Sequence, residues 1–250
     1  LLSTEIAGDE AVMMAEKLQN VPIITGSDRF QTGRYALENF EIDTLILDDG
    51  FQHLALRRDL DILLCDHQRP LGNNHLFPAG ELREPASETQ RADMVCFTRY
   101  LGGPVKFSQK FLGSIPQIKT HLRLDSIINM ENDDVCDAEA LKNQPVVAFC
   151  GIANPEGFRQ ILEDSQVQLK VFKAFPDHHV YSFQDIKDLE SRALEEGGKL
   201  ILVSEKDAVK LKDIKFSLPF YKVVIDLEIL EGREIFNKKI TTTSRGDQQP

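Results

Sequence analysis

Two continuous apolar runs bounded by polar residues are Asp61-Ile62-Leu63-Leu64-Cys65-Asp66 and Met94-Val95-Cys96-Phe97. Val146-Val147-Ala148-Phe149-Cys150 repeats this pattern in the second half of the chain. Between such runs lie stretches with helical apolar spacing, for example residues 183–195. Apolar strands that do not alternate with polar residues, separated by helices, are typical of a parallel sheet covered on both faces. The sequence therefore predicts an α/β fold.

The composition is that of a globular chain able to bury a core. The 250 residues are 42% hydrophobic and 28% charged, which is ordinary for such proteins and enough for one large or two small domains. No apolar run approaches the roughly 18 residues of a membrane span. The net charge of −11 argues against nucleic-acid binding, because phosphate backbones are held mainly by clustered Lys and Arg. The 4 cysteines form none of the close pairs typical of zinc sites.

The apolar pattern changes along the chain and predicts four parts. Residues 1–110 alternate strand-like and helix-like stretches. Residues 111–144 are less regular and form a connecting region. Residues 145–240 resume the alternation as a second, smaller α/β lobe, and residues 241–250 form a loose polar tail.

Two short apolar runs in the first part, residues 21–25 and 44–47, are predicted as strands. The second run ends in Asp48-Asp49-Gly50, which places two carboxylates at the carboxyl edge of the sheet, where ligands bind in open α/β folds. In P-loop nucleotidases the strand in this position, the Walker B strand, brings an Asp next to the magnesium ion. Surface loops after strands are also often acidic, so this pattern alone leaves both interpretations open.

A series of short motifs, in this order along the chain, resembles the tetraacyldisaccharide 4′-kinase family, the lipid A 4′-kinases of Gram-negative bacteria. The motifs extend from residue 8 to residue 211, which coincidence in a single motif does not explain. They are Gly8–Glu10, Asp48–His53, Arg58–Ile62, Gly72–Asn73, Pro78–Gly80, Leu82–Pro85, Arg91–Asp93, Gly151–Pro155, Phe175–His179 and Ser204–Leu211.

The resemblance implies a P-loop-kinase-like parallel sheet core and ATP-dependent phosphorylation of the 4′-hydroxyl of a tetraacyl disaccharide 1-phosphate. It implies that Asp9 is the catalytic base and that His178 assists it. This agrees with general chemistry, since a sugar hydroxyl loses its proton as it attacks and a nearby carboxylate can accept that proton.

The resemblance further implies ATP and Mg²⁺ as cofactors, with Asp49 and Glu84 as metal ligands. Arg83 is expected to contact phosphate, because its planar guanidinium suits bidentate binding of phosphate oxygens. The residues predicted to bind the cofactor are Asp48, Asp49, Gln52, His53 and Arg83.

One family feature is not found in the sequence, the phosphate-binding loop Gly-x₄-Gly-Lys-[Ser/Thr]. Gly197-Gly198-Lys199-Leu200 is the nearest match and fails. Family members carry this loop upstream of the Gly-Asp-Glu motif, together with an N-terminal anchor. We therefore expect this chain to lack the family's first strand, P-loop and anchor. We expect it to be soluble, to bind ATP weakly and to be inactive by itself. The full-length protein is expected at the cytoplasmic face of the bacterial inner membrane, which it would reach through the missing N-terminal segment.

Two alternatives stay open at this point. The first is a non-catalytic remnant that binds the acylated lipid or a partner without transferring phosphate; the missing P-loop is its only support. The second is a metal-dependent phosphoesterase of the DHH type, suggested by Asp177-His178-His179. That family needs further acidic clusters near the amino end, and only Asp59-x-Asp61 has the required spacing.

Overall fold

The computed structural model describes residues 2–211 and 214–244. The strands are β1 (Ile62–Asp66), β2 (Met94–Thr98), β3 (Gln117–Asn129), β4 (Val135–Asp137), β5 (Pro145–Cys150), β6 (Gln168–Ala174), β7 (Leu200–Ser204) and β8 (Phe220–Glu231). The α-helices are α1 (Thr4–Ala7), α2 (Asp9–Lys17), α3 (Arg29–Asn39), α4 (Gln109–Leu112), α5 (Pro155–Asp164), α6 (Phe183–Glu195), α7 (Glu205–Ala208) and α8 (Arg233–Ser244). Short 3₁₀ helices span Ala86–Arg91 and Ala138–Leu141.

The chain folds into two compact units. Unit 1 contains the described residues of Leu1–Thr25 and Arg123–Asp226, and unit 2 contains those of Gly26–Leu122 and Leu227–Pro250. The amino-terminal helix α2 thus joins the later part of the chain, where it lies against α7. The predicted parts 1–110, 111–144, 145–240 and 241–250 remain a division made on sequence, and the compact units follow other bounds.

Unit 1 is built on parallel strands in the order β8, β7, β5 and β6. Strand β5 is buried along nearly its whole length, as its unbroken apolar sequence predicts. Helix α6 covers the sheet with Ile186, Leu189 and Ala193, which are all buried. Their spacing places them on one face of a helix with 3.6 residues per turn. A capping box formed by Ser182 and Asp185 begins this helix.

Unit 2 contains the parallel strands β1 and β2 and the first half of β3. Its core packs Val95 and Phe97 of β2 against Phe107 and Leu112. The Phe97 and Phe107 rings meet edge to face with their centroids 6.1 Å apart, a favourable arrangement of two aromatic quadrupoles. Both units therefore have the architecture that the sequence predicts, parallel strands covered by helices.

Several local predictions are wrong. Residues 21–25 and 44–47 are not strands in the structure, so the expected Walker B-like strand is absent from the described residues. A strand needs ladder partners for its backbone N–H and C=O groups, and the structure pairs no described strand with these segments. Ile46 is accordingly 92% exposed. The predicted loose tail is also partly wrong, because Thr241 and Ser244 lie within α8; residues 245–250 lie outside the described residues.

Within the described residues, none of the helices combines the length and the apolar character needed to cross a bilayer.

Candidate active site

Asp9 and His178, predicted as a pair although 169 residues apart, meet in unit 1. Asp9 is the first residue of α2, and Gly8 before it has φ +84° and ψ 151°, a conformation that glycine adopts without strain. His178 lies in the turn after β6, where its backbone N–H donates to the carbonyl of Gly151 at 3.2 Å. Its Nδ1 is 3.0 Å from Asp9 Oδ1 and 3.2 Å from Oδ2.

The two partners differ in exposure, which decides what the pair can do. The Asp9 side chain is 10% exposed and that of His178 is 60% exposed. A carboxylate only accepts hydrogen bonds, so Nδ1 of His178 is the donor to Asp9, and in that tautomer Nε2 is the proton acceptor of the ring. Nε2 lies 3.7 Å from Asp177 Oδ2. Nε2 is therefore a proton acceptor on the exposed side of the His178 ring, and the buried carboxylate of Asp9 lies on the Nδ1 side.

Several contacts keep Asp9 ionised. Burial by itself raises the pKa of this carboxyl, but hydrogen bonds from the backbone, from His178 and from Lys210, together with the charge of Lys210, hold the pKa below its ordinary value. Lys210 Nζ lies 3.3 Å from Asp9 Oδ2. An opposite charge this close favours the ionised form.

Three further charged residues near the pair, Lys206, Asp207 and Lys210, lie in the motif Ser204–Leu211, and none of them has a role predicted from the sequence. Asp207 is fully buried and accepts hydrogen bonds from Gly151 N at 2.7 Å and Ser204 Oγ at 2.6 Å. Only their occurrence in a family motif signalled these residues. Their proximity to Asp9 and His178 depends on the tertiary fold.

A second polar cluster lies in unit 2, around Asp49. Arg83 Nη1 lies 3.3 Å from Asp49 Oδ2 and 3.4 Å from Gln52 Oε1. The Arg83 and Asp49 side chains are 70% and 73% exposed. Asp49 has a positive φ of 46°, in the sharp turn that Gly50 continues. The structure thus brings together three of the residues predicted to bind the cofactor.

The other two predicted cofactor residues flank this turn, and arginines bind their backbone carbonyls. Arg29 Nη2 donates to the carbonyl of Asp48 at 3.1 Å. Arg58 Nη1 donates to the carbonyl of His53 at 2.6 Å. These bonds hold the path of the backbone on both sides of Asp49, and they leave the cofactor roles of Asp48 and His53 as predictions.

Glu84 is held by Arg91. Arg91 Nη1 lies 2.7 Å from Glu84 Oε2 and Nη2 lies 3.1 Å from Oε1. Arg91 also contacts Glu88, the carbonyl of Phe51 and the Phe51 ring, whose centroid is 4.7 Å from Cζ. Hydrogen bonds from Arg91, more than offsetting burial, hold the pKa of Glu84 below its ordinary value.

This pairing bears on the predicted metal site. Both oxygens of Glu84 accept from the guanidinium of Arg91, so a metal ion at Glu84 would share that carboxylate with Arg91, whereas Asp49 is exposed beside Arg83. Mg²⁺ is usually held by one or two carboxylates together with substrate phosphates, and the metal roles of Asp49 and Glu84 stay predictions. Among residues 2–211 and 214–244, no three His, Cys, Asp or Glu residues cluster so that they could hold a metal ion.

Comparisons with known proteins agree with the motifs. A family model described as tetraacyldisaccharide-1-P 4′-kinase, LpxK, matches residues 2–244. The tetraacyldisaccharide 4′-kinase of Syntrophus aciditrophicus is 37% identical over 243 residues, which are 92% of this chain and 65% of that protein. The kinase of the same name from Geobacter metallireducens is 35% identical, over 94% of this chain and 69% of its own length.

A solved structure is also similar. The crystal structure of LpxK from Aquifex aeolicus in complex with ATP superposes with a TM-score of 0.74 at 31% identity, covering 97% of this chain and 70% of that one. The predicted kinase-like α/β fold is thereby confirmed. The chain spans about 65% of the length of the first curated relatives that it matches.

Proposed function

The chain belongs to the tetraacyldisaccharide-1-P 4′-kinase family, and we propose that the intact protein transfers the γ-phosphoryl group of ATP to the 4′-hydroxyl of a tetraacyl disaccharide 1-phosphate in lipid A biosynthesis. The observation that carries this proposal is the hydrogen-bonded pair of Asp9 and His178 in unit 1.

The pair supplies what the acceptor half of the reaction needs. As the 4′-hydroxyl attacks, its proton must pass to a base held within hydrogen-bond distance. We assign this role to Asp9 and His178 acting as a unit. The exposed imidazole is the member that a bound hydroxyl can approach, and it can relay the proton: Nε2 accepts it while the Nδ1 proton passes to the carboxylate of Asp9, which is the final base.

The cluster in unit 2 supports a nucleotide role. Arg83 offers an exposed guanidinium for phosphate oxygens, beside Asp49 and Gln52. When Mg²⁺ is bound with the nucleotide it neutralises phosphate charge, and Asp49 is the carboxylate that we propose as its protein ligand. Glu84 is the second carboxylate that we propose for the metal, and its pairing with Arg91 also holds the loop that carries Arg83.

The acceptor class also suggests where the protein works. A disaccharide with four acyl chains partitions into a bilayer, because each buried methylene contributes about 0.8 kcal/mol. We therefore propose that the intact protein acts at the cytoplasmic face of the bacterial inner membrane.

The test is phosphate transfer by the full-length protein. Radiolabelled ATP and tetraacyl disaccharide 1-phosphate in mixed micelles should yield a labelled bisphosphorylated lipid, and an acceptor blocked at the 4′-hydroxyl should yield none. Binding of the lipid without transfer would favour the non-catalytic alternative. Release of inorganic phosphate from a phosphoester, without ATP, would favour the phosphoesterase alternative.

A further inference from the structure

Lys210 follows α7 and reaches three oxygens from three parts of unit 1. Its Nζ lies 2.9 Å from Asp207 Oδ1 and 3.3 Å from Asp9 Oδ2. It also donates to the carbonyl of His179 at 3.2 Å. The ammonium of Lys210 therefore forms ion pairs with one carboxylate of α7 and one of α2, and a hydrogen bond with a main-chain carbonyl. The side chain is only 11% exposed.

Two of these oxygens belong to buried carboxylates. Asp207 is fully buried and Asp9 nearly so. A buried carboxylate is costly unless a cation and hydrogen bonds compensate it. Lys210 is placed to compensate both at once, and through the carbonyl of His179 it also holds the turn in which His178 has a positive φ of 58°.

We infer that Lys210 is a positioning residue for the pair of Asp9 and His178. Its ammonium ties the amino end of α2, which carries Asp9, and the turn that carries His178 to the buried carboxylate of Asp207. Lys210 touches no reacting atom in this assignment. It keeps Asp9 ionised and oriented so that Oδ1 faces His178. The inference rests on the proposed kinase function for its catalytic consequence, but the geometry it describes does not depend on that function.

The chain contains a matched comparison for a merely structural role. Lys17 of α2 also joins α2 to α7, through an ion pair of 3.0 Å with Glu205. It is likewise a lysine bridging the same two helices, yet it does not contact Asp9 or the turn of His178. If Lys210 acted only by holding α2 against α7, loss of either lysine would have the same kind of effect.

The experiment compares Lys210→Met with Lys17→Met in the full-length protein. For Lys210→Met we expect kcat to fall by about 10- to 100-fold, while KM for ATP changes by less than about twofold, because the contact acts on the acceptor side. Removing the cation should raise the pKa of Asp9 and move the acidic limb of the kcat profile to higher pH, by about 1 unit. Lys17→Met should retain the wild-type kcat and pH profile.

A spectroscopic measurement separates this inference from the kinase proposal. The carboxyl carbon of Asp9, followed by ¹³C NMR, should titrate about 1 pH unit higher in Lys210→Met than in wild type, and unchanged in Lys17→Met. This readout needs no turnover. An inactive wild-type protein with the expected Asp9 shift would reject the kinase proposal and support the role of Lys210 in holding Asp9.

Lys210→Met leaves Asp207 without its cation and so risks unfolding. The double variant Asp207→Asn/Lys210→Met removes both charges and keeps the test decisive, since its Asp9 should also titrate higher. The inference is overturned if either folded variant retains kcat within about twofold of wild type, or if Asp9 titrates as in wild type.

Discussion

The carboxylates of the two acidic clusters differ in burial and in the contacts that other side chains make with them. In unit 1, Asp9 is nearly buried and contacts His178 and Lys210 within 3.3 Å. In unit 2, Asp49 is largely exposed and Arg83 reaches it at 3.3 Å from an equally exposed position. The acid–base pair that we propose is therefore preorganised, whereas the proposed phosphate-binding side chains of Asp49 and Arg83 are exposed, and the neighbouring Glu84 is fixed by Arg91. The difference matches the proposed roles, because a proton acceptor gains from fixed geometry.

The strongest way to test this contrast is to remove the preorganised carboxylate. Asp9→Ala should lower kcat by about 10²–10⁴-fold and leave KM for ATP nearly unchanged. His178→Ala should lose less, and the double variant should be little worse than Asp9→Ala, because groups that act as a unit are not additive. Steady-state kinetics of the full-length protein measure this.

Glu10→Ala is the matched control for that experiment. Glu10 follows Asp9 in the chain and pairs with Lys206 at 2.9 Å rather than with His178. Its loss should change kcat by only a few-fold. Fully multiplicative losses for Asp9 and His178 would contradict the assignment of the two residues as one unit.

The second test concerns the ion pair of Arg91 and Glu84 in unit 2. Arg91→Met should lower the free energy of unfolding by about 1–3 kcal/mol, because it leaves the half-buried Glu84 without its two hydrogen bonds. Thermal and urea denaturation measure this. Arg69→Met is the control, since Arg69 and Glu81 form an exposed pair at 3.4 Å worth at most about 1 kcal/mol. Equal losses in the two variants would remove the supporting role of Arg91.

The third test concerns the exposed side chain of Arg83, in the same unit. Arg83→Met should weaken ATP binding by about tenfold, which corresponds to about 1.4 kcal/mol, and leave the melting temperature unchanged because its ion pair with Asp49 is exposed. Calorimetry of the full-length protein with ATP gives the affinity. Arg34→Met, which removes an exposed pair on α3, should change neither quantity. A loss of stability without a loss of ATP affinity would make Arg83 a structural residue.

The smallest expected effect concerns Asp185, which contacts His179 in the turn that also carries His178. Hydrogen bonds from Ser182, and then from His179, lower the pKa of Asp185 to about 2. Because its folded pKa is depressed, Asp185 contributes stability above its unfolded pKa of about 4, and that stability is lost as the pH falls toward 2. Asp185→Ala should cost about 1 kcal/mol at neutral pH, as loss of a cap does, and the difference from wild type should shrink between pH 4 and 2.

Denaturant unfolding across that pH range measures the effect of Asp185. Asp188→Ala, on the same helix but outside the cap, is the control and should cost less at neutral pH. A wild-type advantage that stays constant from pH 4 to pH 2 would mean that the Asp185 carboxylate does not supply the stabilisation.

Prediction from sequence succeeded where burial is decided locally. Strands β1, β2 and β5 are continuous apolar runs and were predicted within one or two residues, and α6 matches its predicted bounds. It failed at residues 21–25 and 44–47, which are apolar enough for strands. A strand exists only where a neighbour completes its hydrogen bonds, and the pattern of one segment does not say whether that neighbour is present.

The amino-acid sequence by itself determined the α/β class, the family, and the pairing of Asp9 with His178, which entered through the family motifs. Only the tertiary structure decided that α2 packs with the later half of the chain and that Arg91 binds both oxygens of Glu84. The same holds for Lys210, which forms ion pairs with both Asp9 and Asp207. The physical reason is that periodicity and capping report which residues are buried near one another in sequence. Contacts such as that between residues 9 and 210 depend instead on the order in which strands pair, and each of these side chains taken singly looks like any solvated charge.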